Sequence, residues 1–152
     1  MLALALALAA AAPPAASPRG ISYETGPCFG ACPVYRVTVN ADGTGLFEGR
    51  RFTAVTGARR FRLTAAQYRA FAARLAPLRP ARGSVRYATG PLCGPVITDL
   101  PSVEVTWSGA RGGPQSLYYY YGCDPRRHRD MAARLRAAPG LLPIGDYISP
   151  RR

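Results

Sequence analysis

Lysine is missing from this chain of 152 residues, and all 20 of its basic residues are arginine. Acidic residues number only 8, so the formal net charge at pH 7 is +12. The absence of lysine is typical of GC-rich coding, which also enriches alanine and glycine. We favour that origin over selection for a phosphate-binding surface. Either origin predicts adhesion to polyanions at low salt.

Histidine is nearly missing as well, since His128 is the single one, and this excludes a multi-metal site rich in imidazole. A Gly-x-Ser-x-Gly elbow is absent, so a serine hydrolase has no support. Two carboxylates across a cleft, as a glycosidase needs, are not evident, because Asp99 is suited to organising the turn before Ser102. We therefore predict no catalytic residue and no cofactor, and an enzyme is the less favoured class.

The composition indicates one domain with many turns. An apolar content of 48% is sufficient for a core, whereas 16 glycines and 15 prolines argue against an all-helical bundle. The length fits one domain and not two. We expect that domain to cover residues 19–152.

A long apolar run stands at the N-terminus, from Met1 to Ala12, and a stretch rich in proline, alanine and serine follows it up to Pro18. The run is too short to span a bilayer. It is typical of the hydrophobic region and cleavage zone of an export signal, although a basic region before it is missing. We assign residues 1–18 as an export signal-like segment and expect a periplasmic or secreted protein that does not span the membrane. A helix packed on the domain is the alternative.

The rest of the chain repeats one order of elements: strand, turn, strand, helix. Alternating apolar residues predict strands at 21–24, 34–39, 46–49, 59–63, 102–107 and 116–121. Thr64 opens the first helix with a capping box, and Asp124 caps the second, with Pro125 at its first position. These elements predict an α+β fold, with an antiparallel sheet of about six strands and two helices on one face.

The sharpest local motif is Cys28-Phe29-Gly30-Ala31-Cys32-Pro33-Val34-Tyr35. With the strand before it, the Asp42–Gly43 turn and the later segments 98–102 and 120–122, it resembles the bacterial "domain of unknown function 6438" family. The resemblance covers about residues 20–138, apart from an arginine-rich stretch around 79–92. It implies the fold and the compartment, and it implies no activity.

Export makes the four cysteines candidates for disulfides, although the sequence leaves three connectivities open. We favour Cys28–Cys32 with Cys93–Cys123. From loop-closure entropy, these disulfides would stabilise the fold by about 2 and about 3.5 kcal/mol. One alternative is a redox dithiol at Cys28 and Cys32, but such pairs usually have two intervening residues at a helix N-terminus. Another is a Cu(I) site of the same thiolates with His128. We prefer to read His128 as a histidine at the core margin.

Consecutive tyrosines at 118–121 send two rings to each face of the sheet. One pair should enter the core, and the other should lie on the opposite face beside Tyr35 and Trp107. That face would form an aromatic binding platform if it is open. The alternative is that the 81–101 loop or the C-terminal tail covers it. The candidate binding residues are Tyr35, Trp107, Tyr118, Tyr119, Tyr120 and Tyr121.

These observations together predict an exported domain with a non-catalytic binding or structural role in the cell envelope. Its expected partner is an envelope protein, a glycan or an anionic component. Stacked rings and arginine also suit nucleic acid, but an exported protein rarely meets it. The alternative function is thiol redox chemistry or Cu(I) handling by Cys28 and Cys32.

Overall fold

A computed structural model describes residues 19–109 and 113–149, so the export signal-like segment predicted at 1–18 lies outside the described residues. The strands are β1 (Gly20–Thr25), β2 (Val34–Asn40), β3 (Thr44–Arg51), β4 (Gly57–Arg62), β5 (Ser84–Tyr87), β6 (Ser102–Trp107) and β7 (Gln115–Tyr120). They form one seven-stranded sheet in the order β4-β3-β2-β1-β6-β7-β5. The fold is therefore α+β.

The sheet is mixed, which corrects the prediction of an antiparallel sheet with about six strands. The additional strand is β5, which pairs in parallel with β7, while every other pairing of the sheet is antiparallel. The sequence around β5 is rich in glycine and proline and shows no long alternation. Its strand conformation depends on the distant residues 115–120, to which it is hydrogen-bonded.

The helices are α1 (Ala65–Leu75), α2 (Gly90–Cys93), α3 (Arg129–Ala137) and α4 (Gly145–Ile148). The capping box predicted at the start of α1 is present, because the Thr64 hydroxyl accepts from the backbone N–H of Gln67 and the Gln67 side chain accepts from that of Thr64. The α3 helix begins later than predicted. Asp124 instead holds a turn in which its carboxylate accepts from the backbone N–H of Arg126 at 3.0 Å.

The helices α1, α3 and α4 pack on one face of the sheet. The ring of Phe71 on α1 lies 6.5 Å from that of Tyr23, and the Tyr23 hydroxyl donates to the carbonyl of Leu135 on α3 at 2.9 Å. On α4, the ring of Tyr147 lies 5.5 Å from that of Phe47. We refer to this as the helical face, and its strand residues form the core together with the apolar sides of the helices.

The opposite face, the second face, has a different composition. Residues two apart along a strand share a face, so the buried valines of β2 and β6 alternate with polar residues that point the other way. Burial follows this alternation: Val37, Val39, Val103 and Val105 are fully buried, whereas Glu104 is exposed. Among the described residues, no helix combines the length and apolar character needed to cross a membrane.

Candidate functional site

The four cysteines form two disulfides. The Sγ atoms of Cys28 and Cys32 are 1.98 Å apart, and those of Cys93 and Cys123 are 2.02 Å apart. These are the pairs that the sequence analysis favours. Cys93 and Cys123 are completely buried, whereas Cys28 and Cys32 are half-buried. Every cysteine sulfur is bonded to another sulfur, so in this state neither Cys28 nor Cys32 offers a thiolate for redox chemistry or metal binding.

Both disulfides lie at the same end of the sheet, where β1, β3, β5 and β7 end and β2 and β6 begin. We call this region the stapled end. Its loops are joined by backbone hydrogen bonds, from Phe29 N–H to the carbonyl of Asp99 at 3.1 Å and from Ile97 N–H to the carbonyl of Gly122 at 2.8 Å. The 26–33 and 94–101 loops therefore form one continuous surface.

The stapled end has exposed apolar side chains and two residues other than glycine with positive φ angles. The exposed large apolar residues of the described chain all lie at this end, in its loops or on α2: Phe29, Phe52, Leu92, Val96 and Ile97. Phe29 is 89% exposed at the tip of the Cys28–Cys32 loop. Phe52 and Asp99 have φ angles of +55° and +68°, values that residues other than glycine rarely adopt. The sequence analysis did not single out this surface.

The tyrosine run divides between the two faces as its alternation predicts. Tyr119 and Tyr121 are buried on the helical face, whereas Tyr118 and Tyr120 are half-buried on the second face. The sequence therefore identified the two faces of this strand correctly, and only Tyr118 and Tyr120 can take part in a platform on the second face.

The predicted positions of Tyr35 and Trp107 beside the exposed tyrosines are wrong. Both side chains are buried on the helical face, and the Tyr35 ring lies 5.3 Å from that of Phe47. The reason is strand phase: Tyr35 is two residues from Val37, and Trp107 is two residues from Val105. Each aromatic ring therefore shares the core-facing side of its strand.

The 94–101 loop covers one end of the second face. The Tyr120 hydroxyl donates to the carbonyl of Ile97 at 3.0 Å and accepts from the backbone N–H of Leu100 at 3.3 Å. Tyr118 lies beyond this loop, and the guanidinium of Arg86 stands 3.6 Å from the centre of its ring. The loop thus covers Tyr120, so the aromatic part of the predicted platform is reduced to Tyr118, on which Arg86 is stacked.

Strand register places a row of polar side chains across the rest of the second face. The row consists of Glu48, Arg36, Glu24, Glu104, Tyr118 and Arg86, from β3 to β5. A neighbouring row carries the hydroxyls of Thr38, Ser22, Thr106, Ser116 and Ser84. Such rows run perpendicular to the strands, with a spacing of about 4.8 Å from one strand to the next.

Glu24 is the centre of the charged row. Its carboxylate accepts from Nε of Arg36 at 2.7 Å and also pairs with Arg50. Burial raises the pKa of the Glu24 carboxyl, but the hydrogen bonds from Arg36 and Arg50 outweigh that effect and the net shift is downward. Glu104 stands directly opposite Glu24 and makes no ion pair within the described chain. A depression of about 290 Å³ lies between these two carboxylates.

A larger groove, of about 510 Å³, lies between α1 and the end of the sheet opposite the stapled end. Trp107, Ala72 and Ala76 form part of its lining, and Arg19 and Arg79 are its charged lining residues. The Arg79 guanidinium lies 6.0 Å from the Trp107 ring and donates to the side chain of Gln115. The sequence analysis missed this groove, because the small residues that leave it open are ordinary helix alanines.

His128 is buried at the start of α3, as expected for a histidine at the core margin. Its ring contacts those of Tyr87 and Tyr119, at 5.3 and 6.0 Å between centroids. Nε2 has no hydrogen-bond partner among the described residues. In the Cu(I) alternative His128 would join Cys28 and Cys32, but those two sulfurs are bonded to each other.

A single sheet with helices on one face and a disulfide-stapled end defines a two-layer α+β domain. The family described as "Domain of unknown function (DUF6438)" matches residues 19–139. The chain therefore belongs to that family, as the motif at residues 28–35 indicates. No curated protein matches the chain significantly.

Proposed function

We propose that this protein is an exported binding domain of the cell envelope, without a catalytic role, and that the second face binds a carboxylate-bearing envelope glycan. The observation that carries the proposal is the composition of that face, which presents arginine, hydroxyl and aromatic side chains in rows across the strands. Arginine forks bind carboxylates in a bidentate manner, and hydroxyl rows offer donors and acceptors to sugar hydroxyls.

The charges of the second face support an acidic partner. By strand register its arginines are Arg36, Arg50, Arg60, Arg62 and Arg86, and its acids are Glu24, Glu48 and Glu104. Arg36 and Arg50 are engaged by Glu24, whereas Arg86 rests on the ring of Tyr118. Arg86 has no ion-pair partner among the described residues, so its guanidinium, stacked on the Tyr118 ring, suits recognition of a carboxylate.

The two disulfides support an exported location. Disulfides persist in oxidising environments and are rare in the cytosol. Two disulfide-bonded pairs in one domain are compatible with a periplasmic or extracellular location. The N-terminal apolar run supports the same location from the sequence alone.

Co-sedimentation with peptidoglycan sacculi, and calorimetric titration with alginate as a soluble carboxylated glycan, test the proposed binding. Uncharged dextran serves as the ligand control. We expect Arg86→Ala to weaken binding about tenfold, the loss of a desolvated ionic contact. Arg69→Ala removes the same charge from the exposed side of α1 and should have little effect. Equal losses in the two variants would show adhesion by the whole basic surface and would refute the proposal.

A second candidate function is thiol redox chemistry at Cys28 and Cys32. It is favoured by the half-buried position of this disulfide in a surface loop, which a reductant can reach. Thiols can be titrated after equilibration in glutathione buffers that match the periplasm. Two thiols per chain that disappear in Cys28→Ser/Cys32→Ser would support redox or Cu(I) chemistry. A disulfide that stays oxidised throughout would eliminate it.

A further inference from the structure

Among the residues that the structure describes, the large exposed apolar side chains lie at the stapled end. Phe29 lies at the tip of the first disulfide loop, Phe52 follows β3, Leu92 is on α2, and Val96 and Ile97 belong to the 94–101 loop. Single exposed apolar residues are ordinary on a protein surface, but a cluster at one pole marks an interaction site.

These side chains are exposed on rigid loops. The Cys28–Cys32 bond closes the loop of Phe29, and the Phe29 N–H is hydrogen-bonded to Asp99. Ile97 is hydrogen-bonded through both its N–H and its carbonyl, to Gly122 and to Tyr120. The exposure of Phe29 and Ile97 is therefore a fixed property of the fold, which forgoes the stabilisation that burial of these side chains would give.

The backbone of the same loops is also held in costly conformations. Asp99 accepts the hydrogen bond from Phe29 while its own φ is +68°. Phe52 has a φ of +55°. Residues other than glycine keep a positive φ only where contacts with the surrounding structure hold the backbone in that conformation. Such residues cluster at functional sites.

Arginines flank the apolar tips. The guanidinium of Arg51 lies 5.3 Å from the Phe52 ring. Arg127 donates to the carbonyl of Pro91 at 2.7 Å, which places it beside Leu92. Two acids at this end, Asp99 and Asp124, are directed to local turns: Asp124 accepts from the N–H of Arg126, and the Asp99 carboxylate accepts from the Thr98 hydroxyl.

We propose that the stapled end binds the surface of an anionic lipid bilayer. Phe29, Leu92 and Ile97 would enter the boundary between headgroups and acyl chains, and the flanking Arg51 and Arg127 would contact lipid phosphates. Apolar side chains on separate protruding loops fit a bilayer better than a pocket of a protein, and the flanking arginines select negatively charged headgroups. This surface is distinct from the second face and does not depend on the proposed glycan binding.

Flotation with vesicles tests the inference on the full chain. We expect binding to vesicles that contain phosphatidylglycerol in phosphatidylcholine and weak binding to phosphatidylcholine alone. Phe29→Ser should lower the partition coefficient at least tenfold, with an unchanged melting temperature because the side chain is exposed. Leu46→Ser removes an apolar side chain from the second face and should leave vesicle binding unaffected.

A fluorescent variant supplies an independent readout. Trp107 is the only tryptophan, and it is buried at the end of the sheet away from the stapled end. We expect the added emission of Phe29→Trp to shift to shorter wavelengths on anionic vesicles, whereas the wild-type emission should not change.

Three results would overturn the proposal. One is vesicle binding that Phe29→Ser leaves intact, and another is a loss that Arg69→Ala reproduces in full, because both indicate adhesion by overall charge. The third is an absence of binding to either vesicle. Glycan binding by the second face should survive Phe29→Ser, so the failure of one proposal is distinguishable from the failure of the other.

Discussion

A group of buried tyrosines shows what single residues contribute to this core. Burial raises the pKa of the Tyr121 hydroxyl to about 12. Burial likewise raises the pKa of Tyr23 well above its ordinary value, and that of Tyr35 is raised for the same reason. Each hydroxyl is therefore kept neutral by the fold, and ionisation of these groups is coupled to unfolding.

Stability should fall at alkaline pH. The ordinary pKa of tyrosine is about 10 in the unfolded chain. Because the folded pKa of Tyr121 is raised to about 12, its contribution is fully present below pH 10 and is lost as pH rises through 12. Urea midpoints measured from pH 8 to 12, with phenolate absorbance recorded in parallel, check this. Complete titration of all nine tyrosines near pH 10 with no loss of stability would contradict it.

Gly122 illustrates a close approach that no other residue allows. A Cβ atom built there would stand 2.0 Å from the carbonyl oxygen of Ile97, a backbone atom. The glycine therefore permits the 94–101 loop to lie against the end of β7 and hold the Tyr120 hydroxyl.

Gly122→Ala should destabilise the protein by about 2–3 kcal/mol, because the loop must move and its hydrogen bonds must break. Gly140→Ala is the matched control, since nothing lies within 4 Å of the added methyl group and its φ is not positive. The control should be neutral or slightly stabilising. Urea unfolding measures both, and equal effects would contradict the assignment of close packing to Gly122.

At the scale of elements, α1 is specified by its local sequence. Its capping box satisfies two backbone N–H groups at the start of the helix, and Phe71 and Leu75 are buried on one side of it. We expect Thr64→Ala to cost about 1 kcal/mol in unfolding free energy. Thr56→Ala, in an exposed loop, should change it by less than about 0.5 kcal/mol. If the two variants lose the same stability in urea, the cap makes no specific contribution.

The elements that the sequence predicts well are those with local signals. The β2–β3 hairpin has strict alternation and an Asp42–Gly43 turn, and the Asp42 carboxylate accepts from the N–H of Thr44 as such a turn requires. The β5 strand was missed because its only sheet partner is the distant β7. The start of α3 was placed too early because Asp124 caps a turn with the same chemistry that caps a helix.

The candidate surfaces were predicted less completely. They depend on which side of its strand a residue faces and on where separate loops meet. Alternation along residues 118–121 correctly divided the rings between the faces. Tyr35 and Trp107 were misplaced, although their phase with neighbouring valines was visible in the sequence. The stapled end could not be predicted, because it is formed where four separate loops converge, and exposure of Phe29 follows only from that arrangement.

For the molecule as a whole, the two disulfides should contribute unequally to stability. The Cys93–Cys123 bond joins residues 30 positions apart in the sequence, whereas Cys28–Cys32 joins residues 4 positions apart. By loop-closure entropy we expect their removal by paired alanine substitutions to cost about 3.5 and about 2 kcal/mol. Calorimetric melting and urea unfolding of the two double variants check the order. A larger loss from the shorter loop would indicate that strain or packing, and not chain entropy, decides the effect.

The two edge strands of the sheet have a consequence for behaviour at high concentration. One edge, β4, carries Arg59, Arg60 and Arg62, and the other, β5, is only four residues long. An unpaired strand is a template for another chain, and clustered positive charge or short length prevents that pairing. Copies of this protein should therefore repel one another at their sheet edges and resist cross-β aggregation even when crowded together.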